Sequence, residues 1–154
     1  MSLPLLPLGT SGPHGERRRA TILFADIQDS TELIRDLDPE AATRLLDPLL
    51  KVMLDAVARY QGTVSHILGD GIMAIFGASI ASEDHAVMAC LAATAILETL
   101  NAKSADAIRV RIGIHSGEVV FRHLQFGKAQ TYDSVGATVH IAARLEQTAE
   151  GGTA

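Results

Sequence analysis

Asp26 closes the apolar run "ATILFADI", and Asp70 stands between Gly69 and Gly71 inside "VSHILGDGIMAIFG". A hairpin tip has no packing reason to carry a carboxylate framed by two glycines. Brought to one sheet edge, two carboxylates repel until one takes a proton or divalent cations hold both ionised. The pair is therefore a candidate site for two Mg2+ or Mn2+ ions. Just beyond Asp26, the backbone N–H groups of Ile27, Gln28, Asp29, Ser30 and Thr31 open a helix, and such a terminus favours phosphate oxygens. Cations beside a phosphate-binding turn suit a nucleoside triphosphate.

These residues need elements to hold them. "ATILFADI" is long enough for a buried strand and too short for a helix. "DSTE" offers Asp29 as a helix cap with Glu32 at capping-box spacing. A second helix opens at Asp38-Pro39 and carries Leu45, Leu46, Leu49, Leu50, Met53 and Val57 on one face; Pro48 should kink it. After Gly62 comes a hairpin through residues 64–77, then a helix from about Glu83 to Leu100. "IRVRIGIHSGEVVF" reads as a second hairpin turning at "HSG", and "GATVHIAARLEQTAE" as a last helix. The order of strand, helix, helix, strand, strand, helix, strand, strand, helix predicts an α+β sandwich of the ferredoxin-like kind. Helices then cover one face of a mainly antiparallel sheet.

Composition narrows the partners. A chain of 154 residues, 47% hydrophobic, can bury one core, so residues 17–154 are expected to form one domain behind a flexible leader over 1–16. "RRR" at 17–19 then forms a solvated entry to the first strand. A net charge of −5 leaves no basic footprint for nucleic acid or an anionic membrane surface. The single cysteine, Cys90, excludes an internal disulfide, suits a reducing and cytoplasmic setting, and reads as a buried small hydrophobe. Its run, "AVMACLAATAIL", falls short of the ~20 residues that span a bilayer, so no membrane insertion is expected. His85, His115 and His123 form no metal-ligand grouping, and His115, at the expected turn, reads as structural.

"FADIQDST", "ILGDGIMAIFGA", "RIGIHSGEVV" and "YDSVGATVHIAARLE" stand in the order and rough spacing of the catalytic domain of class III adenylate/guanylate cyclases, which the chain resembles over about residues 19–150. The resemblance implies a homodimer with composite active sites, converting ATP to 3′,5′-cyclic AMP and pyrophosphate. It implies that Asp26 and Asp70 bind the two metal ions with the Ile27 carbonyl, that Asp133 recognises the base, and that Arg144 stabilises the pentacovalent phosphate. Metal ligands would come from one protomer, base and arginine contacts from the other. The chain departs from the pattern at His66, where the family has lysine, at His140, where it has asparagine, and at Asp29, a glycine-like position. Both histidines can still donate hydrogen bonds, His66 to a purine and His140 to ribose or phosphate. A sensor or effector domain outside the chain, and further C-terminal strands beyond it, are also implied. Two alternatives stay open: a weakly active or inactive module for dimerisation or nucleotide sensing, and a guanylate cyclase. A diguanylate cyclase is disfavoured by the lack of its acidic signature loop.

Overall fold

The computed structural model describes residues 15–78, 82–103, 108–126 and 129–154, without the side chains of 103, 123–126 and 129–133. The expected leader lies almost wholly outside the described residues, and Glu16 already belongs to the first strand. In chain order the elements are β1 (Glu16–Ile27), α1 (Ser30–Ile34), α2 (Pro39–Arg59), β2 (Thr63–Ile67), β3 (Gly71–Phe76), α3 (His85–Lys103), β4 (Val110–Phe126), β5 (Ala129–Val135) and α4 (Ala137–Thr148). One antiparallel sheet runs β2-β3-β1-β4-β5. Its first four strands with α2 and α3 make the ferredoxin-like unit, to which β5 and α4 are appended.

Strand β1 is apolar without alternation because both of its faces are covered. On one, Leu23, Ala25 and Ile27 join Ile72, Ala74, Phe76, Val110 and Ile112 beneath α2 and α3. On the other, Ala20 and Ile22 join Met73, Ile75, Val119 and Phe121 against Ala142 of α4. The strand also begins earlier than its apolar text: Arg17, Arg18 and Arg19 pair with Val120, Val119 and Glu118 of β4 and so lie within it.

Asp38 caps α2 as expected, its Oδ1 accepting from Ala41 N at 2.7 Å, with Pro39 at the first helical position. The helix runs on through Pro48, which is exposed, while Leu49, Met53, Ala56 and Val57 are buried. Helix α3 is longer than its most apolar run, and by length and composition alone His85–Ala102 could cross a membrane. Ala89, Ala92, Ala93, Ile96 and Leu100 of this helix lie in the core. Cys90 corrects an expectation: it is exposed, because α3 is apolar on its outer side too, where Val87 and Leu91 also face out. The start of α3 is pinned by Thr21, whose Oγ1 lies 2.6 Å from His85 Nδ1 and 2.6 Å from Ser116 Oγ.

The expected hairpin at "HSG" is absent. β4 passes straight through it, with His115 opposite Ile22 and Gly117 opposite Ala20, and the return strand is β5. The glycines there are seats for a helix rather than a turn. A Cβ on Gly113 would overlap the backbone of Ala142 and Glu146, and one on Gly117 would meet Thr138 Oγ1. Thr138 Oγ1 also donates to the Glu118 carbonyl at 2.7 Å. Gly113→Ala should therefore lift α4 from β4 and cost about 1–3 kcal/mol in chemical denaturation, with secondary structure retained by circular dichroism.

Candidate active site

The β1–β3 register brings the two aspartates to one end of the sheet. Asp26 lies opposite Gly71, and Ile27 N donates to the Asp70 carbonyl at 3.1 Å, one residue past that rung. The framing glycines now have reasons. A Cβ at residue 71 would overlap the Ala25 carbonyl and the Asp26 backbone, and Gly69 turns the tip at φ +81°. Ser30 Oγ donates to Asp70 Oδ2 at 2.5 Å, a charge-assisted bond that fixes the carboxylate.

Asp26 has a counter-charge across the other strand pair. Arg111 faces it from β4 in a fork, Nε 3.3 Å from Oδ1 and Nη2 3.4 Å from Oδ2. The same Nε lies 3.4 Å from Oε1 of Glu146, and Nη1 donates to the Gln147 carbonyl at 3.4 Å. Glu146 is only 6% exposed, and its Oε1, though within ion-pair range, has no hydrogen-bond donor among the described residues. Burial first, then the hydrogen bond to Asp26 and the charges of Asp26 and Asp70, push the Glu146 carboxyl up to about 8, with Arg111 pulling the other way. Burial opposes the charge on Arg111, but the bond and charge of Asp26, with Glu146 and Asp29, outweigh it and raise its pKa.

The turn after Asp26 differs from the expected cap. Asp29 makes no side-chain capping bond and adopts φ 55°, ψ 31°, so it occupies the left-handed, glycine-like position. α1 is a five-residue helix with a correspondingly small dipole. What the turn offers an anion is a concavity of N–H groups, since those of Asp29, Ser30 and Thr31 meet no acceptor among the described residues. The N–H groups of Ile27 and Gln28 are already spent on Asp70 and Arg109. A cleft of about 450 Å³ opens alongside, lined by Gln28, Asp29, Glu32, Leu33 and Arg109.

His66 is exposed on β2, opposite Met73, on the face of the sheet that also carries Asp26. A bulge between Val64 and His66 sets its direction, and its Nδ1 lies 2.8 Å from Ser65 Oγ. The remaining predicted residues are not gathered with the aspartates. Asp133 pairs with Arg122, eleven residues along β4 from Arg111, or ~36 Å of strand; its side chain lies outside the described residues, as does that of His123. His140 and Arg144 are exposed on α4, on the side away from the buried line of Thr138, Ala142 and Glu146.

Arg111, Glu146 and the Ser30 hydroxyl were missed by the sequence reading. Period-two spacing from Gly113 puts Arg111 on the Asp26 face, and Glu146 falls one turn after Ala142 and two after Thr138, so both signals were present. In the metal-free protein Glu146 is protonated in the fold and ionised in the unfolded chain between about pH 4.5 and 8. The folded state then binds more protons, so stability should fall as pH rises through that window, at up to ~1.4 kcal/mol per unit. Denaturant melts in chelator across the range should show that slope, and Glu146→Gln should flatten it.

Comparison with known proteins identifies the family and the fold. The family described as "Adenylate and Guanylate cyclase catalytic domain" matches residues 13–154. Adenylate cyclase 1 of Rhizobium meliloti is 31% identical over 137 residues, which are 84% of this chain and 21% of that protein. The chain thus spans about a fifth of that relative's length. The crystal structure of the adenylyl cyclase CyaB from P. aeruginosa superposes with a TM-score of 0.81 at 28% identity, covering 89% of this chain and 75% of that one. The guanylate cyclase domain of RhGC from Catenaria anguillulae, in complex with GTP, gives 0.80 at 26% identity, covering 89% and 77%. With that family match spanning nearly the whole chain and these likenesses in sequence and fold, the chain belongs to the adenylate and guanylate cyclase catalytic domain family.

Proposed function

We propose that the domain is an adenylate cyclase, converting ATP to 3′,5′-cyclic AMP and pyrophosphate with two divalent cations at composite sites of a homodimer. The observation that carries this reading is the β1–β3 register, which sets Asp26 and Asp70 side by side next to the turn of Asp29, Ser30 and Thr31. The donor set fits the cations. It consists of hard oxygens, and Mg2+ is commonly held by one or two carboxylates together with substrate phosphates rather than by a full protein cage. The local excess of negative charge, which pushes Glu146 toward its protonated form, favours a cation there as well.

Asp26, Asp70 and the Ile27 carbonyl would hold the ions, and Ser30 keeps the Asp70 carboxylate oriented. Bound there, the ions supply positive charge to the triphosphate and lower the pKa of the ribose 3′-hydroxyl. The N–H groups of residues 29–31 receive phosphate oxygens. His66 donates to the purine and Asp133 accepts from the adenine amino group, both from the protomer that does not hold the ions. Arg144 stabilises charge as the 3′ oxygen bonds to the α-phosphorus and pyrophosphate departs, with His140 beside the ribose. Asp133 sits far along β4 and Arg144 faces outward, so these groups serve a second protomer's aspartates. A cytoplasmic setting, with sensory input from a domain outside this chain, completes the proposal.

Product assays with Mn2+ and either ATP or GTP should give cyclic AMP from ATP, with Asp70→Asn inactive. Cyclic GTP product would assign the guanylate reaction, and nucleotide binding without turnover a sensing module. Ser30→Ala, which frees the Asp70 carboxylate, should lower kcat/KM about 10–100-fold with little change in stability. Asp70→Asn and Arg144→Ala, each inactive alone, should recover about a quarter of the wild-type rate when mixed and allowed to exchange subunits, because half the dimers then carry one intact site.

A further inference from the structure

Arg111 is shared between two carboxylates of unequal standing. Its fork rests on Asp26, a ligand of the proposed cation site, while the neighbouring Glu146 Oε1 is buried, 3.4 Å from Nε, and without a hydrogen-bond donor among the described residues. Buried polar atoms are almost always paired, so an unpaired carboxyl oxygen beside a guanidinium points to a second arrangement of the two groups. The closeness is built in, because Gly113 lets α4 approach β4 at the Glu146 backbone. A divalent cation drawn to Asp26 repels the guanidinium forked onto the same two oxygens, whose contacts at 3.3 and 3.4 Å are long enough to give way.

We propose that Glu146 is a positioning residue that receives the Arg111 guanidinium when a divalent cation takes Asp26, so that Arg111 exchanges one carboxylate partner for the other. This rests on the cyclase reading of Asp26 and Asp70. Glu146 does not ligate the ion; it removes the competing charge from the ligand. Without it, a half-buried guanidinium displaced from Asp26 keeps only the Gln147 carbonyl and no carboxylate, and the cation binds more weakly by that loss. The exchange also reaches α4, whose outer face carries His140 and Arg144 and whose Gln147 carbonyl accepts from Arg111.

Mn2+ binding, followed by electron paramagnetic resonance of the free ion on the intact chain, tests this without reference to turnover. Glu146→Leu should weaken Mn2+ binding about tenfold, whereas Glu146→Gln, which keeps an acceptor oxygen, should stay within about threefold of wild type. Arg111→Met, which removes the competitor and leaves Glu146 in place, should bind Mn2+ more tightly than wild type, and adding Glu146→Leu to it should cost nothing further. Should Arg111→Met bind no more tightly, or the double variant be as weak as Glu146→Leu alone, partner exchange is wrong. Binding that is lost in Asp70→Asn yet indifferent to residues 111 and 146 overturns this inference and leaves the cyclase reading standing. No Mn2+ binding by the wild-type chain overturns both.

Discussion

Three carboxyl groups, those of Asp26, Asp70 and Glu146, are gathered at one end of the sheet with the Arg111 guanidinium among them. Such a group is held together by its surroundings. Left to themselves in a low-dielectric setting the charges would separate or take up protons. Each is fixed by a different device: Asp26 by the fork of Arg111, Asp70 by the Ser30 hydroxyl, and Glu146 by burial where α4 packs on β4. The concentration of negative charge has a purpose only if positive charge arrives, and this gives the cation-binding reading its physical force.

The rest of the fold places these devices. The central pair β1 and β4 brings Asp26 and Arg111 to the same rung, and β3 sets Asp70 just beyond its neighbour. α2 and α3 close one face with an apolar layer that needs no further function. The other face is left for α4 and for the polar groups, and α4 reaches it because Gly113 and Gly117 remove two side chains from its path. Packing and chemistry are therefore not separate layers here. The helix that seals the smaller core through Ala142 also delivers Glu146 to the aspartates.

Much of this was legible because the signals were local. Asp26 at the end of an apolar strand and Asp70 between glycines announce themselves without knowledge of register, and Asp38-Pro39 states its own helix start. Asp29 misled because capping spacing says nothing of φ; an aspartate tolerates the left-handed region well enough to stand in for glycine. "HSG" misled because a glycine that makes room for a helix is written the same way as one that turns a chain. Cys90 was misread as buried, since α3 has no clear polar side to say which way it faces. Arg111 and Glu146 were hidden for another reason: 35 residues separate them, and only the packing of α4 on β4 reveals that they meet.

The length of β4 has a consequence beyond geometry. On the proposed reading, a protomer keeps its cation ligands and its base-reading strand too far apart to use together, so catalysis begins only when two copies meet. Output at low abundance would then grow with the square of the amount of protein rather than in proportion to it. Any tethered element that draws two copies together, or holds them apart, would govern the signal without touching a single reacting atom.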